Sequence, residues 1–355
     1  MEKIPTNFRN DSLSEYLQKN GLRRISQGKV RDTYYLDEDW LLVVASDRIS
    51  VFDFVLNASI PKKGEVLTAL THFWLTKVLL GFNNHLIEAG FRPYNFKGSK
   101  YPNAAYDLKG DLLDLPIERC LVVRNLTGKM YPFEMIYRHH IGGSVFKKYQ
   151  KTGIAGGHQL PLGLLKWSKL DSPIFTPSTK EDVGHDVNVD ANYFFAEMEK
   201  AGLTVEALEM VKMLTDAYAI AYKYAEERGI LILDTKFEVA GGIIADEIIT
   251  PDSSRFALKK DWEQALEEGR DPQFYDKQPV RDVMAKVATP FFDDKNQPIT
   301  GINNLDPENE EHVAFVHTLE IPEEVITGTT ERYLKIFEMI TGQSLGDYQK
   351  NELGC

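Results

Sequence analysis

The chain has 355 residues, 53 acidic and 41 basic, and a net charge of -12; this disfavours a nucleic-acid or anionic-membrane surface, which needs a positive field. No apolar run is long enough to span a bilayer, and the opening MEKIPTNFRNDSLSEYLQKNG lacks the apolar segment of a signal peptide. Two cysteines, Cys120 and Cys355, are too few for a disulfide framework, so the expected compartment is the cytosol, and the length suits two or three subdomains.

In chain order, Ser12 to Asn20 has the stripe of a short helix closed by Gly21. Ile25 to Leu36 reads as strand, turn, strand around GKVRD, and Trp40 to Ala45 as a further strand. A Gly-Lys turn in that setting can lay amides and a lysine against a nucleotide phosphate, although a plain hairpin turn has the same pattern and the spacing of a Walker loop is missing. SDRISVFDFVL then places Asp47, Arg48, Ser50 and Asp53 at a strand exit, where functional loops concentrate. Leu67 to Leu80 carries a helical apolar stripe suited to a core. Arg119 to Asn125 and Met135 to Tyr137 read as strands, the latter bounded by Glu134 and Arg138.

His139 and His140 follow, but neighbours in a strand point to opposite faces and do not meet one metal ion. Gly142, Gly143 and Ser144 suit a tight loop able to receive a phosphate. Gly153 to Asp190 reads as a long ordered loop, and Leu203 to Arg228 as the clearest helix, with Thr204 as its cap and Gly229 as its stop. Asp261 to Glu268 and Val280 to Val287 are predicted helices, Thr289 to Asn309 a mobile connection, and Thr329 to Ile340 a last helix before a frayed tail.

The densest chemistry lies in GILILDTKFEVAGGIIADEIITPDSSR, Gly229 to Arg255. Ile230 to Leu233 is apolar, and Thr235, Phe237 and Val239 alternate with Lys236 and Glu238. Gly241 and Gly242 supply a turn, and a second strand is expected from Ile243 to Thr250, with Asp246 and Glu247 in its middle. Ionised groups among isoleucines persist only when paired or bound to a metal or ligand. A solvated Lys/Glu sheet face is the bland alternative. The sum of Asp234, Lys236, Glu238, Asp246, Glu247, Asp252 and Arg255 favours a site for Mg²⁺ and phosphate, since all the candidate ligands are oxygen. If Glu238 and Asp246 share an ion they must lie on one face. That predicts an odd-numbered loop centred on Gly242, with Glu238 opposite Asp246, rather than a two-residue turn pairing Glu238 with Ala245.

GKVRD, SDRISVFD, IPKKGEVLT, PFEMIYRHHIGGS, LPLGL, PIFTPSTK, HDVNV, DTKFE, DEIITPDSSRF and DKQPVRD, in that order over residues 28 to 282, together resemble the SAICAR synthetase family of purine biosynthesis. The resemblance implies an α+β, ATP-grasp-like fold of two subdomains with mainly antiparallel sheets and C-terminal helices. The corresponding divisions are 1–125, 126–320 and 321–355. It implies a cytoplasmic ligase using ATP, Mg²⁺, carboxyaminoimidazole ribonucleotide and L-aspartate, with no nucleic-acid or membrane partner. A small-molecule kinase that stops at a phosphorylated product is the alternative.

Carried over by motif, Lys236, Glu238 and Asp246 would be catalytic, with Glu238 and Asp246 on the metal. Lys29, Arg31, Glu134 and Asp234 would serve ATP, Asp234 from behind. Arg138, Ser144, Arg255, Asp53 and Arg48 would serve the other substrates. Asp47, His185 and Asp186 fall in family motifs without an assigned role. Val51, Lys62, Val239 and Ala240 depart from the family's usual residues, the last two at the hairpin turn.

Overall fold

The computed structural model describes residues 22–89, 117–180 and 187–355; the helix expected at Ser12 to Asn20 therefore lies outside the described residues. The predicted strand, turn, strand forms as β1 (Arg24–Gln27) and β2 (Arg31–Tyr35), followed by β3 (Trp40–Ala45). A separate hairpin, β4 (Arg48–Val51) and β5 (Phe54–Ser59), packs its apolar residues on the late segment around Val280, Ile302 and Val313. Helix α1 (Lys63–Phe73) starts a turn earlier than its apolar stripe suggested and runs into one wide turn at Trp74–Val78. β6 (Leu86–Ala89) and β7 (Cys120–Arg124) complete a five-stranded antiparallel sheet in the order β1-β2-β3-β7-β6.

The second sheet starts with β8 (Phe133–His140), longer than expected and including both histidines. After it come α2 (Gly143–Thr152), β9 (Ile154–Ala155), β10 (His158–Gln159), β11 (Lys169–Phe175) and β12 (Ser178–Thr179). The stretch expected to be a loop is thus partly strand, because Ala155, Leu170 and Ile174 bury against Val145, Phe146 and Tyr149 of α2. Helices α3 (Ala191–Lys200) and α4 (Thr204–Glu226) precede β13 (Ile230–Ala240), β14 (Ile243–Ala245) and β15 (Ser254–Leu258). Thr204 is the first residue of α4 and makes no side-chain cap, whereas Gly229, at φ 72°, does turn the chain after it. β13 is the central strand of this sheet, pairing antiparallel with β8, β14 and β15. α4 backs it, with the Tyr218 hydroxyl donating to the Ile232 carbonyl at 2.7 Å.

The hairpin itself corrects the sequence reading. Gly241 (φ 51°) and Gly242 (φ 78°) both take the left-handed conformation of a two-residue turn, so Glu238 pairs with Ala245 and not with Asp246. β14 stops there, because Asp246 and Ile249 adopt φ of 58° and 50° and break the expected strand to Thr250.

The C-terminal part comprises α5 (Lys259–Glu268), α6 (Gln278–Met284), a hairpin of β16 (Ala288–Phe292) and β17 (Pro298–Thr300), and helices α7 (Glu310–Val316), α8 (Glu323–Thr341) and α9 (Leu345–Tyr348). The expected mobile connection is that hairpin. Nor is the tail frayed: Leu345, Tyr348 and Leu353 are buried in the main core with α1 and α8, and Gln349 donates to Glu65 at 2.7 Å. The two sheets join beside β14, where the His85 amide donates to the Ile244 carbonyl (3.0 Å) and the Ile244 amide to that of Asn83 (2.9 Å).

Candidate active site

Residues two apart in a strand share a face, so Asp234, Lys236 and Glu238 line one side of β13 while Phe237 and Val239 enter the main core on the other. Thr235, also core-facing, bonds Ser254 at 2.7 Å.

At the Asp234 end, register puts Arg138 of β8 and Arg255 of β15 on either side of the aspartate. Its Oδ2 accepts from both guanidiniums, from Arg255 at 2.6 Å. Arg138 also donates through Nε to Thr176 at 2.9 Å. Burial opposes charge on Asp234, yet Arg255 and Arg138 hold its carboxyl below the usual 3.8. Two guanidiniums around one carboxylate leave a surplus positive charge beside the amino end of α2. Gly143 lies so close that an added Cβ would sit 3.6 Å from the Arg255 guanidinium. An arginine fork at a helix N-terminus is a site for a phosphate dianion. Asp234, expected on the ATP side, is grouped by the structure with this arginine pair. Ser144 lies in the first turn of α2, its side chain outside the described residues.

At the other end of the row, Lys236 meets Glu134 at 2.5 Å and Glu238 at 3.5 Å, and Ser178 donates to Glu134 at 3.2 Å. Lys180 pairs with Glu238. Across the cleft, Arg31 of β2 spans Asp246 (2.6 Å) and Glu247 (2.7 Å). Burial works against the charge of Lys236, but Glu134, Glu238 and Asp246 raise its pKa above the ordinary lysine value. Arg31 is likewise raised, burial being outweighed by Asp246, Glu247 and Glu238. Asp246 is lowered against burial by Arg31 and Lys236. Glu238 thus meets Lys236 and Lys180 while Asp246 meets Arg31, and the two carboxylates do not face each other in the ladder; the left-handed Asp246, outside the strand, no longer obeys strand alternation.

The GKVRD turn is closed by the Gly28 amide on the Arg31 carbonyl at 2.6 Å, so tightly that a Cβ on Gly28 would lie 2.8 Å from that oxygen. Lys29 reaches Asp53, and both remain partly exposed. Arg48, expected to touch substrate, is instead buried under the turn. Its guanidinium donates to Asp32 (2.5 Å) and to the carbonyls of Gly28 (3.1 Å) and Lys29 (3.4 Å). Asp47 anchors α1 by accepting from the Gly64 amide at 2.9 Å and from Arg119 at 2.5 Å. His185 and Asp186 lie outside the described residues.

Sequence reasoning missed three partners. Lys180, the last residue of TPSTK, is one: its motif stands out in the sequence, but nothing there says that its charge meets Glu238. Lys63 of IPKKG pairs with Asp252 of PDSSR at 2.7 Å, both buried, and Tyr333 of α8 donates to Asp252 at 2.6 Å. Nothing local in the sequence joins those segments. Among the described residues no three His, Cys, Asp or Glu side chains converge as a ready metal cage. Magnesium does not require one, since it binds through one or two carboxylates and takes its remaining ligands from phosphate and water. Glu238 and Asp246 fit that donor set.

The chain matches the family model described as SAICAR synthetase over residues 24–298. A phosphoribosylaminoimidazole-succinocarboxamide synthase of Thermodesulfovibrio yellowstonii is 37% identical over 326 residues, covering 90% of this chain and 96% of its own length. That of Actinobacillus succinogenes is 36% identical over 331 residues, covering 90% and 98%. A solved SAICAR synthase from Saccharomyces cerevisiae, complexed with SAICAR, aligns at a TM-score of 0.66 and 30% identity, over 91% of this chain and 96% of that one.

Proposed function

The chain belongs to the SAICAR synthetase family, and from that premise we propose how its residues divide the work. It is an ATP-dependent ligase that joins L-aspartate to carboxyaminoimidazole ribonucleotide, giving SAICAR in purine biosynthesis. The single observation that carries our division is the row on β13, in which Lys236 stands between the arginine-flanked Asp234 and Glu238.

In this proposal Arg138 and Arg255, aimed by Asp234, hold the phosphate of the ribonucleotide, with the amino end of α2 beside it. The imidazole carboxylate then reaches Lys236. Lys29 and Arg31 face the phosphates of ATP, so its γ-phosphorus arrives from the opposite side of the same lysine. Magnesium, when bound, neutralises phosphate charge and orients the nucleotide; Glu238 and Asp246 are the residues to hold it. Lys236 remains cationic at neutral pH, so it attracts the substrate carboxylate and the charge that gathers on the transferring phosphoryl group. A carboxylate does not accept an amine directly, because oxide is a hopeless leaving group. Phosphorylation turns one carboxylate oxygen into part of a phosphate. Aspartate's amine attacks the acyl carbon, the C–O bond breaks, inorganic phosphate departs, and the amine loses its proton.

The divisions at residues 125 and 320 are proposed as the two walls of the cleft and a C-terminal brace, and the cytosol as the compartment. Measuring ADP release while adding substrates singly tests the scheme. Rapid ADP formation should need ATP, ribonucleotide and aspartate together; full-rate ADP formation without aspartate would point to a kinase.

A further inference from the structure

Trp167 stands at φ 68°, a left-handed conformation that a bulky aromatic residue keeps only where its surroundings over-determine it. Its surroundings do. The Trp167 amide donates to the Ile141 carbonyl (2.7 Å) and the Ile141 amide to the Ser168 carbonyl (3.0 Å), while the Trp167 carbonyl accepts from the indole N–H of Trp262 in α5 at 2.8 Å. Its own indole N–H donates to Asp271 at 2.8 Å, and the ring, on a residue only 3% exposed, meets Phe274 edge-on with centroids 5.1 Å apart.

That clamp holds the indole between two segments that bear on the arginine fork. On one side lies Gly142, the residue before α2, where an added Cβ would come within 2.0 Å of the indole's six-membered ring. Gly142 is extended at φ -152°, so contact with the ring, and not backbone conformation, excludes a side chain there. On the other side Phe274 bridges to Ala257 of β15, two residues after Arg255, whose guanidinium carbon lies 5.9 Å from the indole centroid, within reach of a cation–π attraction. Ladder register fixes Arg138 and Arg255 against Asp234, whereas α2 begins beyond the end of β8. The chain entering α2 rests on the indole.

We propose that Trp167 is a positioning residue for the ribonucleotide phosphate: its ring sets the amino end of α2 against Arg255, so that the helix start and the guanidinium form one anion cradle. This rests on the assignment of Arg138 and Arg255 to that phosphate. A tryptophan that only filled space would, when truncated, weaken the use of every substrate alike.

The test is steady-state kinetics of the full chain with the ribonucleotide and with the corresponding riboside, which lacks the phosphate, for wild type, Trp167→Leu, Trp167→Phe, Gly142→Ala and Arg255→Ala. Trp167→Leu should lower kcat/KM for the ribonucleotide by roughly tenfold to a hundredfold, the cost of a cradle misplaced by a fraction of an ångström to an ångström. Its kcat/KM for the riboside and the KM values of ATP and L-aspartate should stay within about twofold. Trp167→Phe, which keeps a flat ring against Gly142 but offers no N–H to Asp271, should recover most of the loss. Gly142→Ala drives a Cβ into the ring and should reproduce the loss from the other side, and it carries the same test if the leucine variant does not fold. The double variant Gly142→Ala/Trp167→Leu should be no worse than the poorer single one, because the methyl enters space that the indole has left. Equal loss for every substrate, a phenylalanine variant as poor as the leucine one, or additive losses in the double variant overturns the proposal. If Arg255→Ala abolishes the preference for ribonucleotide over riboside while Trp167→Leu and Gly142→Ala behave as wild type does, the proposal falls alone. If Arg255→Ala keeps the wild-type preference, the phosphate assignment falls and takes the proposal with it.

Discussion

The two ends of the β13 row are built in different ways. Arg138, Asp234 and Arg255 are neighbours across three paired strands, so ordinary ladder register makes that group. The other end draws Arg31 from the first sheet, Lys180 from the segment after β12, and Asp246 from a left-handed residue beyond a strand end. The first is a rigid cradle fixed by backbone pairing. The second depends on side chains from separate segments whose charges are balanced only when they meet, which suits the end where charge moves during the reaction.

The sharpest way to break that comparison is Lys236→Met. Removing a preorganised positive group at the reacting centre should lower kcat by on the order of 10²–10³-fold, a larger change than that in the KM of the ribonucleotide, whose phosphate is still held by Arg138 and Arg255. A variant with near-normal kcat in steady-state assays would show that the row's middle residue is not where the reaction occurs.

Next in size is the arginine pair. Arg138→Ala or Arg255→Ala should lower kcat/KM for the ribonucleotide by roughly thirtyfold or more, the equivalent of about 2 kcal/mol for truncating one partner of a buried charge pair. The ATP KM should hardly move. A raised ATP KM with normal ribonucleotide kinetics would reverse the assignment of the two ends.

The smallest effect is on stability. Asp234 has a folded pKa lowered below 3.8, chiefly because Arg255 and Arg138 outweigh burial. Its contribution is therefore complete above the unfolded value and is lost as the pH falls through the lower folded value. Chemical denaturation across the acid range should show that Asp234→Asn is less stable than wild type near neutrality and that the gap narrows below about pH 4. A gap independent of pH would mean that Asp234 acts by shape and not by charge.

What could be read from the sequence follows the same divide. β13 was legible because its apolar and charged residues alternate with period two, and the helix before it because its stripe ends at Gly229. The Arg138–Asp234–Arg255 group was partly legible: its members were named from motifs, but Asp234 was set on the ATP side because a one-dimensional pattern does not say which strands are neighbours. The hairpin register was misread because the requirement that Glu238 and Asp246 share a face was imposed through the strand. Two consecutive glycines instead favour a two-residue turn, and Asp246 escapes alternation by leaving the ladder. Arg48 looked like a substrate contact because it follows a strand in a charged loop, yet its donors are taken up by the turn beneath which it lies. The buried Lys63–Asp252 pair joins residues far apart in the chain, and only the packing of α1 against the later loop brings them together.

The central claim is that the β13 row brings the imidazole carboxylate to the γ-phosphorus so that it is phosphorylated before aspartate attacks. Ribonucleotide labelled with ¹⁸O in that carboxylate, turned over with ATP and L-aspartate, tests this directly. The account predicts that the inorganic phosphate released carries ¹⁸O from the carboxylate. Full turnover yielding unlabelled phosphate, with exchange from water excluded, would contradict it.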